Sequence, residues 1–138
     1  TFHKAPGDRI GEYPLDANDS ATMQLVLSNG ALGTVAATRF ASGHLNDLRL
    51  RLYGDKGGLE VSFENQISRL RACLEPDLQA AAWHEIEAPV LPNIYQRFIA
   101  AIRGEGAPDP DFARGAMLQR LLDRAEQSAG QGGLSLSV

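Results

Sequence analysis

Arg39, Ser42, His44, Asn46 and Asp47 crowd into one polar loop between two strand-like segments. A guanidinium fork, a hydroxyl, an imidazole, a carboxamide and a carboxylate together donate and accept hydrogen bonds, the mixture that a polyol's hydroxyl groups require. Loops held by a rigid scaffold carry much of such binding chemistry. An ordinary polar loop has the same composition, and His44, although able to shuttle protons, is a lone histidine. A second polar row comprises Arg49, Arg51, Arg69 and Arg71, whose alternate spacing gives them a common face. Arginine there could grip a carboxylate or phosphate, but cross-strand pairing with Glu60 and Glu64, or a polar oligomer surface, accounts for the row more simply.

Other chemistries lack their residues. No G-x-G-x-x-G follows a strand and opens a helix, and Gly54-Asp55-Lys56-Gly57-Gly58 lacks the spacing that cradles phosphates. The three histidines are widely separated and there is no cysteine pair, so a zinc site has no local support and no metal is expected. No nucleophile elbow occurs. The single cysteine, Cys73, sits in an alternating strand and reads as a buried or half-buried thiol in a reducing compartment. A formal net charge of -4 argues against nucleic acid as a partner. No apolar run is long enough to span a bilayer and no signal peptide is visible, so a soluble, cytoplasmic chain is expected, with no membrane partner.

The polar loop must be positioned by strands. Ser20 to Ser28, Asp47 to Tyr53 and Leu59 to Phe63 alternate with the period of two and Ile67 to Leu74 continues the pattern, whereas Ala31 to Phe40, mostly small and apolar on both sides, reads as a central strand closely approached on both faces. Asn29-Gly30 predicts a two-residue type I′ hairpin turn. Ala41 to Asn46 and Gly54 to Gly58 supply the next turns, so the strands form an antiparallel meander. After Glu75-Pro76-Asp77, Ala82 to Ala88 is a sixth strand carrying Trp83, Ile86 and, with opposite parity, His84. Asn93 and Gln96 resemble a capping box for a helix whose stripe is Ile94, Tyr95, Phe98, Ile99 and Ile102 and whose stop is Gly104. Asp111 caps a second helix with Met117, Leu118, Leu121, Leu122 and Ala125 on one stripe and Gly130 as its stop. Both stripes are expected to be core. Leu134, Leu136 and Val138 could form a final strand.

These elements make the fold class α+β: an open, mainly antiparallel β-sheet with two C-terminal helices packed on one face. The 138 residues suit one domain over residues 20–138, preceded by a connector or truncated strand over residues 1–19. Thr1 in place of an initiator methionine suggests a piece of a longer protein.

Asn29-Gly30-Ala31-Leu32-Gly33-Thr34, Thr38-Arg39-Phe40-Ala41-Ser42-Gly43 and Leu52-Tyr53-Gly54-Asp55-Lys56-Gly57-Gly58-Leu59 resemble, in order and spacing, the C-terminal domain of the Gfo/Idh/MocA oxidoreductases. Phe98 to Gly104, Pro108 to Phe112, and Leu121 to Ala125 with Ser128-Ala129 look like that domain's closing helices. The resemblance implies an open sheet with helices on one face and subunit contacts on the other, hence a homo-oligomer. It also implies one wall of a cleft for a sugar or polyol, whose hydroxyl is oxidised by hydride transfer to NAD(P) held on a separate N-terminal Rossmann domain. Arg39, His44 and Asn46 then become substrate-binding candidates, and Gly30, Gly54 and Gly57 structural ones. The family's Glu-Lys-Pro motif and its aspartate four residues before a histidine have no counterpart here, so no catalytic residue carries over. Neither turnover nor cofactor binding is expected of this chain alone. A noncatalytic sheet module for association or sugar binding is the rival reading.

Overall fold

The computed structural model describes residues 2–3, 9–10, 12–14, 18–107 and 109–138. The turn signals Pro6-Gly7 and Gly11, together with Pro108, lie outside these residues. The architecture is α+β, with open antiparallel sheets and two C-terminal helices. The chain divides into two compact units, residues 1–40 with 95–138, and residues 41–94.

In the first unit, β1 (Phe2–His3), β4 (Ser20–Val26) and β5 (Leu32–Thr38) form a three-stranded sheet in the order β1-β4-β5, all antiparallel. β2 (Arg9–Ile10) and β3 (Tyr13–Pro14) make a separate small hairpin. The β4–β5 turn is not the expected two-residue type I′. Gly30 N–H donates to Leu27 O at 2.8 Å, Leu27 N–H donates to Ala31 O at 2.9 Å, and only Gly30, at φ +85°, is left-handed. This is a three-residue loop in which a type I turn is followed by a glycine bulge. Asn29 spends its side chain instead, accepting from Ala31 N–H at 3.0 Å.

The helices are α1 (Ile94–Ile102) and α2 (Phe112–Gly130). Gly104, at φ +72°, ends α1, with Glu105 N–H reaching back to Ala100 O at 2.9 Å in a Schellman closure. Asp111 caps α2 by accepting from Arg114 N–H at 2.8 Å. The stop of α2 is not Gly130, which remains helical. Gly132, at φ +73°, takes the left-handed position, and Gly133 N–H donates to Ser128 O at 2.8 Å. Asn18 Nδ2 donates to Glu126 Oε1 at 2.8 Å, tying α2 to the residues before β4. The covered stripe of α2 is Leu121, Ala125, Ser128 and Ala129, half-buried and helically spaced. On α1 the covered residues are Ala100 and Ala101, whereas Tyr95, Phe98 and Ile102 are exposed. The expected α1 core stripe is therefore not core in the single chain. Residues 134–138 form no strand.

The second unit is a four-stranded antiparallel sheet, β6 (Asp47–Gly54), β7 (Gly57–Glu64), β8 (Ile67–Leu74) and β9 (His84–Glu85), in sequence order. The expected single meander is thus two sheets, because no ladder joins β5 to β6 among the described residues. Alternation puts Leu48, Leu50 and Leu52 on one face, paired with Phe63, Val61 and Leu59, with Leu70 and Ala72 beyond. The other face carries the arginines. Among the described residues, Ala72 and Cys73, 5% and 4% exposed, are the buried apolar ones, and both lie in the inner strand β8. The expected sixth strand is shorter than Ala82 to Ala88, but Ile86 N–H still donates to Leu70 O at 2.8 Å.

The β7–β8 turn holds Asn65 at φ +51° and Gln66 at φ +67°. A two-residue hairpin turn of this hand matches the strand twist, and glycine is the residue preferred at its second position. Gln66→Gly should therefore stabilise the chain by about 0.5–1 kcal/mol, the relief of a left-handed side chain less the added entropy of the unfolded glycine. Urea unfolding midpoints of the two proteins would measure it.

Candidate functional site

The polar loop begins where β5 ends. Thr38 Oγ1 accepts from Phe40 N–H at 3.1 Å, which turns the chain out of the ladder. His44 N–H then donates to Ala41 O at 3.0 Å, closing a turn in which Gly43 stands at φ +87°. Of the three substrate candidates, Arg39 belongs to the first unit, where its N–H donates to Asp19 O at 3.0 Å and its guanidinium lies 3.8 Å from Asp19 Oδ1. His44 and Asn46 belong to the second unit, and Asn46 is exposed.

His44 is not alone. Its Nδ1 lies 3.0 Å from Asp47 Oδ2 and 3.6 Å from Glu64 Oε1. The three donor atoms all fall within 4.8 Å of one another, a grouping of the kind that can hold a cation. Asp47 was legible as part of the loop. Glu64 was not, because it reaches His44 through the pairing of Asp47 with Glu64 across the β6–β7 ladder. Counting back along that hairpin from its Asp55-Lys56 turn is the signal that finds it.

Each arginine of the row faces a carboxylate. Arg51 Nε donates to Glu60 Oε2 at 2.6 Å, Arg71 approaches Glu60 Oε1 at 3.7 Å, Arg69 approaches Glu85 at 3.8 Å and Arg49 approaches Asp47 at 3.8 Å. Arg71 also lies over the Trp83 ring, 5.8 Å from its centroid. Pairing therefore occupies this row, across strands for Arg51, Arg69 and Arg71 and within β6 for Arg49, with Glu60 as its hub, while Glu64 turns to His44. The hydrogen bond from Arg51 holds the Glu60 carboxyl below its ordinary range, against the opposing effect of burial and with the charges of Arg51, Arg49 and Arg71 adding to it. The same bond raises Arg51.

A carboxyl whose folded pKa is lowered stabilises the fold above its unfolded value and loses that contribution as pH falls through the folded one. The stability difference between the wild type and Glu60→Gln should be full at neutral pH. It should fade below about pH 4.3, the ordinary glutamate value, as the folded pKa is passed. Salt should shrink it, since the pair is near the surface. Paired urea titrations across this range would show the convergence.

The glycine-rich Gly54–Gly58 segment joins two antiparallel strands through Asp55-Lys56 and opens no helix. A shallow groove of about 390 Å³ along α1 is lined by Tyr95, Gln96, Ile99, Ala100, Arg103 and Glu105 and includes none of the three candidates. No helix among the described residues is long and apolar enough to cross a membrane.

No curated protein and no solved structure matched the chain. A family model described as the oxidoreductase family C-terminal alpha/beta domain matches residues 3–138. It agrees with the α+β architecture and spans nearly every residue, and on that match the chain belongs to the Gfo/Idh/MocA oxidoreductase family, as its C-terminal domain.

Proposed function

We propose that this domain binds substrate and mediates association in an NAD(P)-dependent dehydrogenase that oxidises a sugar or polyol hydroxyl. The observation that carries the reading is the Ala41–Asp47 loop, which in a domain of this oxidoreductase family presents His44 fixed by Asp47. With Nδ1–H directed at that carboxylate, His44 Nε2 is left as an acceptor for a substrate hydroxyl. Asn46, in the same unit, adds a carboxamide donor and acceptor, while Arg39, beside Asp19 in the other unit, is proposed as a substrate contact on its own. Their work is to bind and orient, which is where much of an enzyme's advantage originates.

Hydride chemistry belongs to the nicotinamide. The residues present do not suit a dinucleotide: the Gly54–Gly58 turn presents no helix N-terminus to a pyrophosphate. That supports placing the cofactor on the family's Rossmann domain. The chain alone is expected neither to turn over a polyol nor to bind NAD(H) appreciably, and tight binding in an NADH fluorescence titration would sink this part of the reading.

The direct test is a sugar and polyol series followed by amide NMR. Shifts confined to Arg39–Asp47 support a substrate wall, and shifts scattered over the sheets, or none, count against it. A second reading is favoured by the exposed apolar face of β6 and β7: a noncatalytic module whose work is association. A mass that rises with concentration and no sugar-induced shift would favour it.

A further inference from the structure

On the sheet face that carries the arginines, Glu60 stands between Arg51 of β6 and Arg71 of β8, and Ser62 between Arg49 and Arg69; the end of the β6–β7 ladder differs. There Asp47 stands directly across from Glu64. Like charges in that position repel. Asp47 Oδ1 is in addition buried without a hydrogen-bond partner, although the oxygen that faces His44 is the other one, Oδ2. Arg49 approaches only the other oxygen, Oδ2, at 3.8 Å. The third group at this end is an imidazole, and imidazole with two carboxylates is a metal-binding donor set.

The spacing agrees. Zinc bonds to nitrogen and oxygen of about 2.0–2.1 Å at tetrahedral angles set neighbouring donors about 3.3 Å apart. His44 Nδ1 lies 3.0 Å from Asp47 Oδ2 and 3.6 Å from Glu64 Oε1, on either side of that value. His44 and Glu64 are close to half exposed, so a cation has a way in and a position left open to water. The other histidine–carboxylate contact, His84 with Asp77 at 3.1 Å, belongs to no such three-donor group among the described residues.

We infer that His44, Asp47 and Glu64 form a three-donor site for a divalent cation of the zinc and cobalt class. The imidazole favours these over magnesium or calcium, which take oxygen ligands. A bound cation takes the Nδ1 lone pair, so in that state the proton directed at Asp47 is lost from Nδ1 and Nε2 carries it; the cation titration reads metal alone and is separable from the sugar series.

The test titrates Co²⁺ into the tag-free chain and follows the visible absorption of low-coordinate cobalt, with Zn²⁺ as competitor. One Co²⁺ per chain, displaced by Zn²⁺ and weakened at least tenfold in both Glu64→Gln and His44→Gln, is the expected result. Thermal unfolding supplies the second readout. Zn²⁺ should raise the midpoint of the wild type and not that of Glu64→Gln, because only a ligand held by the folded state stabilises it. Metal-free Glu64→Gln should be at least as stable as the wild type, since it removes the repulsion with Asp47. Absent cobalt absorption at millimolar cation, binding unchanged in both variants, or a metal-free Glu64→Gln that is clearly less stable would each overturn the assignment. The last would make the cluster a histidine clamp.

Discussion

Gly57→Ala should destabilise the chain by roughly 3 kcal/mol or more, a large fraction of a small domain's stability. Two costs coincide at this residue. Gly57 stands at φ +145°, a conformation close to exclusive to glycine. A Cβ built there would also overlap the Cys73 carbonyl oxygen and lie 2.6 Å from Leu74 Cδ2 and 3.2 Å from Leu74 Cα. Two of those three atoms are backbone of the paired strand β8 and cannot rotate away. The conformation has a cause: neither Asp55 nor Lys56 is left-handed, so the mismatch between that turn and the strand twist is taken up at Gly57. Gly30→Ala separates the two costs, since Gly30 has φ +85° but open space around its Cβ position. It should cost only about 1–2 kcal/mol, the price of a left-handed alanine. Urea unfolding of both variants decides the matter. A Gly57 variant no worse than the Gly30 variant would mean that the close approach of β7 to β8 at this point is wrong.

Gly57 was recognisable as structural in the sequence, but the reason was not. A glycine-rich turn signals positive φ somewhere, and only the register, which sets Gly57 opposite Leu74, shows what a side chain would strike. The same division runs through the fold. Strand and helix positions follow from local period, which a short window contains. Which strands are neighbours does not: the small apolar residues of β5 suggested a central strand, yet β5 is the edge of its sheet and largely exposed, because no ladder joins it to β6 among the described residues. Turn types also depend on more than the best dipeptide. Asn29-Gly30 yields a bulged loop because Asn29 uses its side chain on Ala31 N–H rather than entering the left-handed region. Gly130 yields to Gly132 because α2 continues through a residue that is compatible with both outcomes.

At the candidate site the loop residues were legible because they are contiguous. The chemistry that distinguishes His44 from an idle surface histidine was only half so. Asp47 is three residues away, whereas Glu64 is remote in sequence and arrives by ladder register. Arg39 has the converse history. Its proximity in sequence suggested a shared site with His44, yet its partner is Asp19, within its own unit. The arginine row was expected to pair with Glu60 and Glu64; Glu60 does so as a hub because it lies in the strand flanked by the two arginine-bearing ones, whereas Glu64 meets His44 instead.

Leu50→Asp should abolish self-association while leaving the single chain folded. Leu50 is 54% exposed, between Leu48 at 62% and Leu52 at 52%, and opposite Val61 at 44%. Contiguous exposed apolar surface of this kind marks an interaction site in a soluble protein. A second copy is the proposed occupant, since a self-complementary face closes into a two-fold dimer. Substitution at an exposed position alters the monomer by about 0.5 kcal/mol. In a two-fold interface the change counts twice, so a penalty of about 2 kcal/mol per side weakens association on the order of a thousandfold. Arg69→Glu, on the opposite face, is the control. Sedimentation velocity over a concentration series should show a dimer for the wild type and the Arg69 variant and a monomer for the Leu50 variant. The reverse pattern would move the interface to the arginine face, and a wild type that stays monomeric at all concentrations would remove the association reading altogether. The choice between faces rests on desolvation: the arginines already hold carboxylate partners that a second copy would have to displace, whereas the leucines have only water to lose.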